Sequence, residues 1–329
     1  MPKSAKTQWT RKHLLGLEDL SAEEILTVLD VADGYLPCVT QRRPCRPTLK
    51  GRTILNLFCE DSTRTRTSFT FAAERLGAQV FQFHAATSSL NKKETLIDTA
   101  RNIEAMGLDA IVVRHPERGA PQRLAEAVRC SVLNAGDDAH EHPTQALLDM
   151  LAIRRKLGRL QGLTLALVGD VRHSRVARSN LFGLSKFANR IIFVGPPAFL
   201  DKLDVQVETA TDFDAVLPQC DAIMMLRVQF ERHESVAFDA DEYVRGYQLT
   251  PARLARAKPG AIVLHPGPVN RGLEMTNEVC DGPQSVILFQ ATCGVAVRMA
   301  CLQLCIGALD RERKAGALRA ATKAKGKRR

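Results

Sequence analysis

Aromatic side chains are scarce in this chain. One Trp, three Tyr and thirteen Phe make up 5% of 329 residues, while apolar residues as a whole reach 45%. Its cores must therefore be packed mainly from Leu, Val, Ile and Ala, and the length allows two domains of ordinary size. No apolar run approaches the ~18 residues that a membrane span needs. The N-terminal stretch MPKSAKTQWTRKHLLGLEDL lacks the apolar segment of roughly 7–15 residues found in a secretory signal. A soluble, cytoplasmic protein is the expectation.

Paired cysteine motifs are missing too. The nine cysteines, at 38, 45, 59, 130, 220, 280, 293, 301 and 305, are odd in number and scattered, with no CxxC. This excludes a disulfide framework and a structural zinc site. Cys59, Cys130, Cys301 and Cys305 lie in apolar surroundings and read as small buried hydrophobes. The glycine fingerprint GxGxxG is also absent: in LVGDVRHSR, cations stand where the glycines would be, which argues against a dinucleotide site. Acidic residues are few only at one end. Residues 311–329 hold nine Lys/Arg and one Glu, so they supply +8 of the net +10. The body is near neutral, which argues against a nucleic-acid-reading domain. The segment 314–329 reads as a solvated, disordered basic tail, with binding to RNA or acidic partners as the sharper alternative.

What the chain does have is alternation. Short β-branched runs (TILNLF 53–58, AQVFQF 78–83, DAIVVR 109–114, SVLNA 131–135) alternate with helical stretches at 68–76, 94–106 and 124–129. A long helix is predicted over 143–157. A second series follows: LTLALVGD 163–170, a helix over 174–186, RIIFVG 190–195, AIMMLRV 222–228, AIVLHP 261–266 and a final helix over 285–313. Ser21 and Glu24 form a capping box near the N-terminus. This pattern predicts an α/β protein with two parallel sheets flanked by helices.

Ligands of parallel sheets sit beyond the carboxyl ends of strands, and the polar residues of interest fall there. They are CEDSTRTRTSF, Arg114-His115-Pro116, GDVRHSRVARS, Arg227-Val228-Gln229 and His265-Pro266-Gly267-Pro268. Cations and hydroxyls at five strand ends describe a site for an anionic ligand. The sharpest motif is Ser62-Thr63-Arg64-Thr65-Arg66. A helix start offers open N–H groups and partial positive charge, and hydroxyls with guanidinium groups complete an anion cradle. An ordinary N-cap beside surface arginines is the plainer alternative. His142-Pro143 could likewise merely begin a helix, but Gln145 three residues on and Arg114 on a parallel strand end favour a site.

STRTRTSF followed by RLGA resembles the carbamoyl phosphate signature of the aspartate and ornithine transcarbamoylases. SSLNKKETLIDT, DAIVVRHP, NAGDDAHEHPTQALLDM, VGDVRHSRVARSN, LRVQFER, HPGPVNRG and GVAVRM continue the resemblance in the family's order, from about residue 10 to 310. Arg227-Val228-Gln229 and His265-Pro266-Gly267-Pro268 look like the aspartate enzymes rather than the ornithine enzymes. Two carboxylates on the acceptor also suit guanidinium forks.

The resemblance implies carbamoyl transfer from carbamoyl phosphate to aspartate, the second step of de novo pyrimidine (UMP) biosynthesis, without metal or cofactor. It implies a carbamoyl phosphate domain (1–141 plus 296–313), on which the C-terminal helix packs back, and an aspartate domain (142–295). Ser62, Thr63, Arg64 and Thr65 would bind phosphate. Arg114 would bridge phosphate and carbonyl oxygen, and His142 would donate to that oxygen. Gln145, Gly267 and Pro268 would hold the carbamoyl group. Arg175 would take the α-carboxylate of aspartate, and Arg227 and Gln229 the β-carboxylate. Family members are trimers, so Ser88 and Lys92 would come from the neighbouring chain, Lys92 reaching phosphate and aspartate. The resemblance leaves room for a larger assembly with dihydroorotase or regulatory chains.

Three positions depart from the family: Lys93 and Asp138 stand where glycine is usual, and Cys293 where asparagine is common. Lys93 and Asp138 would be strained if the backbone there needs positive φ. Rival readings are a transcarbamoylase for another amino acid and an assembly subunit that is catalytically weak or has lost turnover.

Overall fold

The computed structural model describes residues 8–84, 94–229 and 239–326. Ser88, Lys92 and Lys93 lie outside them. The elements run β1 (Thr53–Phe58), α2 (Thr63–Arg75), β2 (Gln79–His84), α3 (Leu96–Ala105), β3 (Ala110–His115), α4 (Ala120–Ala127) and β4 (Ser131–Asp137), after a first helix α1 (Ala22–Thr40). The second series is α5 (Pro143–Leu157), β5 (Thr164–Val168), α6 (Arg175–Leu184), β6 (Arg190–Val194), α7 (Pro197–Leu200), β7 (Glu208–Ala210), α8 (Phe213–Val216) and β8 (Ala222–Met225). It continues through α9 (Ala240–Tyr247), α10 (Pro251–Leu254), β9 (Ile262–Leu264) and α11 (Asn277–Cys280) to the last helix, α12 (Ile287–Gly326). The capping box forms: Ser21 N–H donates to Glu24 (2.9 Å) and Glu24 N–H to Ser21 Oγ (3.2 Å).

The chain divides into two compact units. One holds the segment up to Leu15, Leu26–Asp137 and everything from Val295; the other holds Gly16–Ile25 and Asp138–Gly294. The sequence reading gave Gly16–Ile25 to the first domain. It belongs to the second because the buried Glu141 carboxylate takes the N–H groups of Leu17 (3.0 and 2.9 Å) and Glu18 (3.3 Å). Lys186 also donates to the Glu18 carbonyl at 2.9 Å.

The first unit is built on a parallel sheet of order β2-β1-β3-β4. Its inner strands are buried on both faces, which is why they read as continuous apolar runs. The N-terminal segment joins the sheet through Leu14 N–H to Val132 O (2.9 Å) and Asn134 N–H to Leu14 O (2.8 Å). The C-terminal helix packs on this unit, as expected. Arg298 donates to Ser68 Oγ at 2.7 Å and lies over the Phe69 ring, and Arg52 ties Asp109 (3.0 Å) to Asp310 (2.8 Å).

The second unit is built on a five-stranded parallel sheet, β7-β6-β5-β8-β9. The short β7 was not predicted; its burial is slight, so it carries no apolar signal. The core lies under β5, β6 and β8, with Ile192, Phe213, Ile223, Val263 and Met275 among its buried residues.

Three expectations need correction. α2 begins at Thr63 and not at Ser68, so the Ser-Thr-Arg motif is the helix's own first turn. α12 runs on to Gly326, past the predicted stop at Arg313, so the basic segment expected to be disordered is helical over 314–326. Its Ala, Lys, Arg and Leu are strong helix formers and it has no proline. Ile287–Arg319 is also long and apolar enough, by composition, to cross a membrane, although Gln290, Thr292, Arg298 and Gln303 break it into short runs. In this fold 78% of its most apolar stretch is buried, as in the core helix of a soluble domain.

His13 is a pH-sensitive joint in the first unit. Its Nδ1 accepts the Val132 N–H at 3.0 Å. Burial first, then the Lys12 charge, brings it down from its ordinary 6.5 to about 4, against a smaller upward pull from Glu312. The folded state thus disfavours the proton that the unfolded chain takes up below 6.5. This contribution to stability is complete above 6.5 and is lost as pH falls towards 4. His13→Gln keeps an acceptor for Val132, so thermal unfolding should lose less stability between pH 7 and 4.5 in H13Q than in the wild type. Parallel pH profiles would dismiss His13 as the joint.

Candidate active site

In the first unit, β1 and β3 end side by side, and Cys59 N–H donates to Arg114 O at 2.8 Å. The β3–β4 register shifts between Val113 and His115. Such irregularities re-aim side chains at strand ends, and Arg114 sits at this one. Its Nε donates to Glu60 Oε2 at 3.0 Å and its Nη1 to Ser62 Oγ at 3.3 Å. Ser62 is the N-cap of α2, with φ −160°, yet its hydroxyl makes no capping bond. The plain N-cap alternative therefore fails for Ser62, because the oxygen is turned to a guanidinium. The first N–H groups of α2 have no intrahelical partner. Thr63 and Arg64 are exposed on that turn, and Thr65 is buried. Ser62, Arg114 and the α2 start are thus gathered at one place. Glu60, which holds Arg114, was missed; an acid at a strand end gives no periodic signal.

In the second unit, His142 is the N-cap of α5, ahead of Pro143, and makes no side-chain cap. Its N–H donates to Ser179 Oγ at 2.8 Å, and Ser179 Oγ donates to Glu141 Oε2 at 2.8 Å. Burial pushes the Glu141 carboxyl above its usual range, partly offset by the Leu17 N–H and Ser179.

Gln145 Nε2 donates to Asp149 Oδ1 at 3.0 Å, one helical turn on. Asp149 is fully buried and also accepts from Gln290 Nε2 (2.7 Å) and Asn180 Nδ2 (2.9 Å). Gln290 Oε1 in turn accepts the His265 N–H at 3.0 Å. His265 Nδ1 accepts the Gly267 N–H at 2.7 Å, leaving Nε2 to donate to Glu274 Oε2 at 3.1 Å. Gly267 has φ 69°, a conformation that glycine adopts without strain, and the Gly267–Pro268 bond is cis. His265 is therefore a brace for the Gly267-Pro268 turn.

Glu274, fully buried, further accepts from the backbone of Val228 (3.0 Å) and Asn270 (2.8 Å) and from Asn270 Nδ2 (2.9 Å). Asp170, also fully buried, accepts from His173 Nδ1 (2.9 Å) and from the Gln229 N–H (3.4 Å). Gln229 Nε2 donates to the His173 carbonyl at 2.9 Å. Asp170 thus joins the loop after β5 to the loop after β8, and Glu274 joins the latter to the loop after β9.

Arg175 opens α6 behind the N-cap Ser174, whose Oγ accepts from Ala177 N–H at 3.1 Å. Arg227 follows the end of β8, partly buried. The network gathers Gln145, Gly267 and Gln229, with Arg227 and Pro268 beside them in sequence. Asp149, Asp170, Glu274 and Gln290 were missed, although Asp149 stands at i+4 from Gln145 on a predicted helix, a spacing that places both on one face. His173 is the residue that Gln229 leans on. Arg178, on the first turn of α6, pairs with Asp204.

Of the departures, Asp138 does take a left-handed conformation, φ 44°. Cys293 is wholly buried inside α12.

Residues 12–155 match the family model of the aspartate/ornithine carbamoyltransferase carbamoyl-P binding domain, and residues 161–305 that of the Asp/Orn binding domain. An aspartate carbamoyltransferase catalytic subunit from Gluconobacter oxydans is 53% identical over 295 residues, covering 88% of this chain and 94% of that protein. The solved aspartate transcarbamoylase of Trypanosoma cruzi, in complex with carbamoyl phosphate and aspartate, is 31% identical with a TM-score of 0.79, over 89% of this chain and 95% of that one. The ornithine carbamoyltransferase of Pyrococcus furiosus is 27% identical with a TM-score of 0.81, over 92% of this chain and 99% of that one. The fold is thus common to both acceptor types.

Asp149→Asn would turn one acceptor of a buried, fully bonded carboxylate into a donor facing other donors. Denaturant unfolding should show a loss of roughly 1–3 kcal/mol. An unchanged midpoint would remove Asp149 from its place at the centre of the network.

Proposed function

The chain belongs to the aspartate/ornithine carbamoyltransferase family, and from that premise we propose that it converts carbamoyl phosphate and L-aspartate to N-carbamoyl-L-aspartate and phosphate, the second step of pyrimidine biosynthesis. The aspartate amine attacks the carbamoyl carbon, the C–N bond forms, and the bond to the phosphate oxygen breaks. The departing phosphate takes the amine's proton. No side chain is acylated, so catalysis rests on positioning and on donors aimed at the carbonyl oxygen as it gains charge.

The α2 start supplies the phosphate cradle: open N–H groups, the hydroxyls of Ser62, Thr63 and Thr65, and Arg64. Arg114, held by Glu60, is assigned to phosphate and carbonyl oxygen, and His142 to the same oxygen. Gln145 has Nε2 committed to Asp149, which leaves its Oε1 to accept from the carbamoyl NH2. The turn at Gly267 and Pro268 supplies backbone contacts to that group.

The observation that carries the choice of acceptor is the Arg227-Val228-Gln229 loop, fixed at Val228 by Glu274 and at Gln229 by Asp170 and His173. A guanidinium and an amide held on a braced loop suit the β-carboxylate of aspartate, and Arg175 at the start of α6 suits the α-carboxylate. An ornithine side chain would bring a cation to the same cation. The working form is a cytoplasmic homotrimer, with Ser88 and Lys92 of the neighbouring chain completing each site, and it can enter a larger assembly with dihydroorotase or regulatory chains.

Purified chain given carbamoyl phosphate should release phosphate with aspartate and not with ornithine, and an aspartate-based phosphonate bisubstrate analogue should block it. Arg64→Ala and His142→Ala should each lower turnover on the order of 10²–10³-fold. Equal turnover with ornithine would overturn the acceptor assignment, and full rates in both variants would overturn the roles of Arg64 and His142.

A further inference from the structure

Glu141 and Ser179 are buried polar side chains to which the proposed transfer gives no part. They meet at His142. That residue stands where the chain bends into α5, with φ −139° and ψ 75°, and its imidazole does not cap its own helix. Pro143 follows and brings no N–H. The bend is held at the His142 N–H, which donates to Ser179 Oγ on α6 at 2.8 Å. A serine hydroxyl has one hydrogen and two lone pairs. Here the hydrogen goes to Glu141 Oε2 at 2.8 Å, so a lone pair is turned to His142. The Glu141 carboxylate is itself pinned from the other side by the N–H groups of Leu17 (3.0 and 2.9 Å) and Glu18 (3.3 Å). Burial pushes its carboxyl up; the Leu17 N–H, the Ser179 hydroxyl and the Glu18 N–H pull it back towards the accepting, ionised form. Arg175 lies one turn before Ser179 on α6, but that helix has other supports. Ser174 Oγ takes the Ala177 N–H (3.1 Å), and Asn180 Nδ2 donates to Asp149 (2.9 Å).

We propose that Ser179 is a positioning residue for carbamoyl transfer: its hydroxyl, aimed by Glu141, sets where His142 meets the carbonyl oxygen of carbamoyl phosphate. The inference rests on the role proposed for His142. A donor to a developing oxyanion works only within roughly 2.7–3.1 Å of the place the oxygen takes in the transition state. A misplacement of about 1 Å can cost on the order of 10²-fold in rate. The tether reaches His142 through its backbone, so it moves the whole residue and with it the imidazole. Ser179 leaves the aspartate carboxylates alone, because Arg175 keeps the Ser174 cap and the Asn180–Asp149 bond without it.

Steady-state kinetics of the full-length chain with carbamoyl phosphate and aspartate test this. Ser179→Ala removes both bonds with little change in volume. Its kcat should fall roughly 10–100-fold, with the KM for aspartate held within about twofold. On a His142→Ala background the same substitution should cost no further rate, because nothing is left for Ser179 to place. Full kcat in S179A beside a slow H142A would overturn the positioning role and leave that of His142 standing. Equal losses in both backgrounds, or a loss carried by the KM for aspartate, would overturn it as well. Full kcat in H142A would overturn the role of His142, and this inference with it. Should circular dichroism show S179A unfolded, Ser179→Cys carries the same comparison, since a thiol accepts only weakly; full kcat in S179C would then overturn the proposal.

Discussion

Three carboxylates shielded from water hold the second unit's loops in place. A buried carboxylate is tolerated only if donors surround it, and Asp149, Asp170 and Glu274 are each met by donors from separate segments. The loops after β5, β8 and β9 and the start of α5 are therefore not independently placed. Moving any one of them would strand a buried charge. Arg227, Gln229, Gln145 and the Gly267-Pro268 turn inherit their positions from this requirement.

The first unit solves a different problem with backbone. The anion cradle proposed for it is a helix start, where the first N–H groups precede the intrahelical ladder. The N-cap hydroxyl that would ordinarily close one of them is given to Arg114 instead. Glu60 fixes the other side of that guanidinium. Side chains here orient a cation beside a dipole, whereas in the second unit they orient neutral amides around anions.

Much of the fold was legible because parallel strands buried on both faces read as unbroken apolar runs; Thr53–Phe58 was placed to the residue. The start of α2 was not legible, since Thr63, Arg64 and Thr65 supply no apolar periodicity. The reach of α12 was misjudged because charge was read as disorder in a segment whose residues are good helix formers. The site residues were named largely through motifs at strand ends. The acids that brace them escaped notice because a buried carboxylate looks, in sequence, like any surface one. Asp138 was flagged by its departure from glycine, and its left-handed backbone shows why glycine is usual there.

The commitment of the Gln145 amide to Asp149 reaches beyond stability. An amide free to rotate could present nitrogen or oxygen to a ligand; this one, anchored through Nε2, presents oxygen alone. An acyl phosphate bearing methyl in place of amino would leave that oxygen dry and unpaired, at a cost of about 1–3 kcal/mol. With Gln145 in its proposed role, donor selectivity is written not in that residue but in the buried anion behind it.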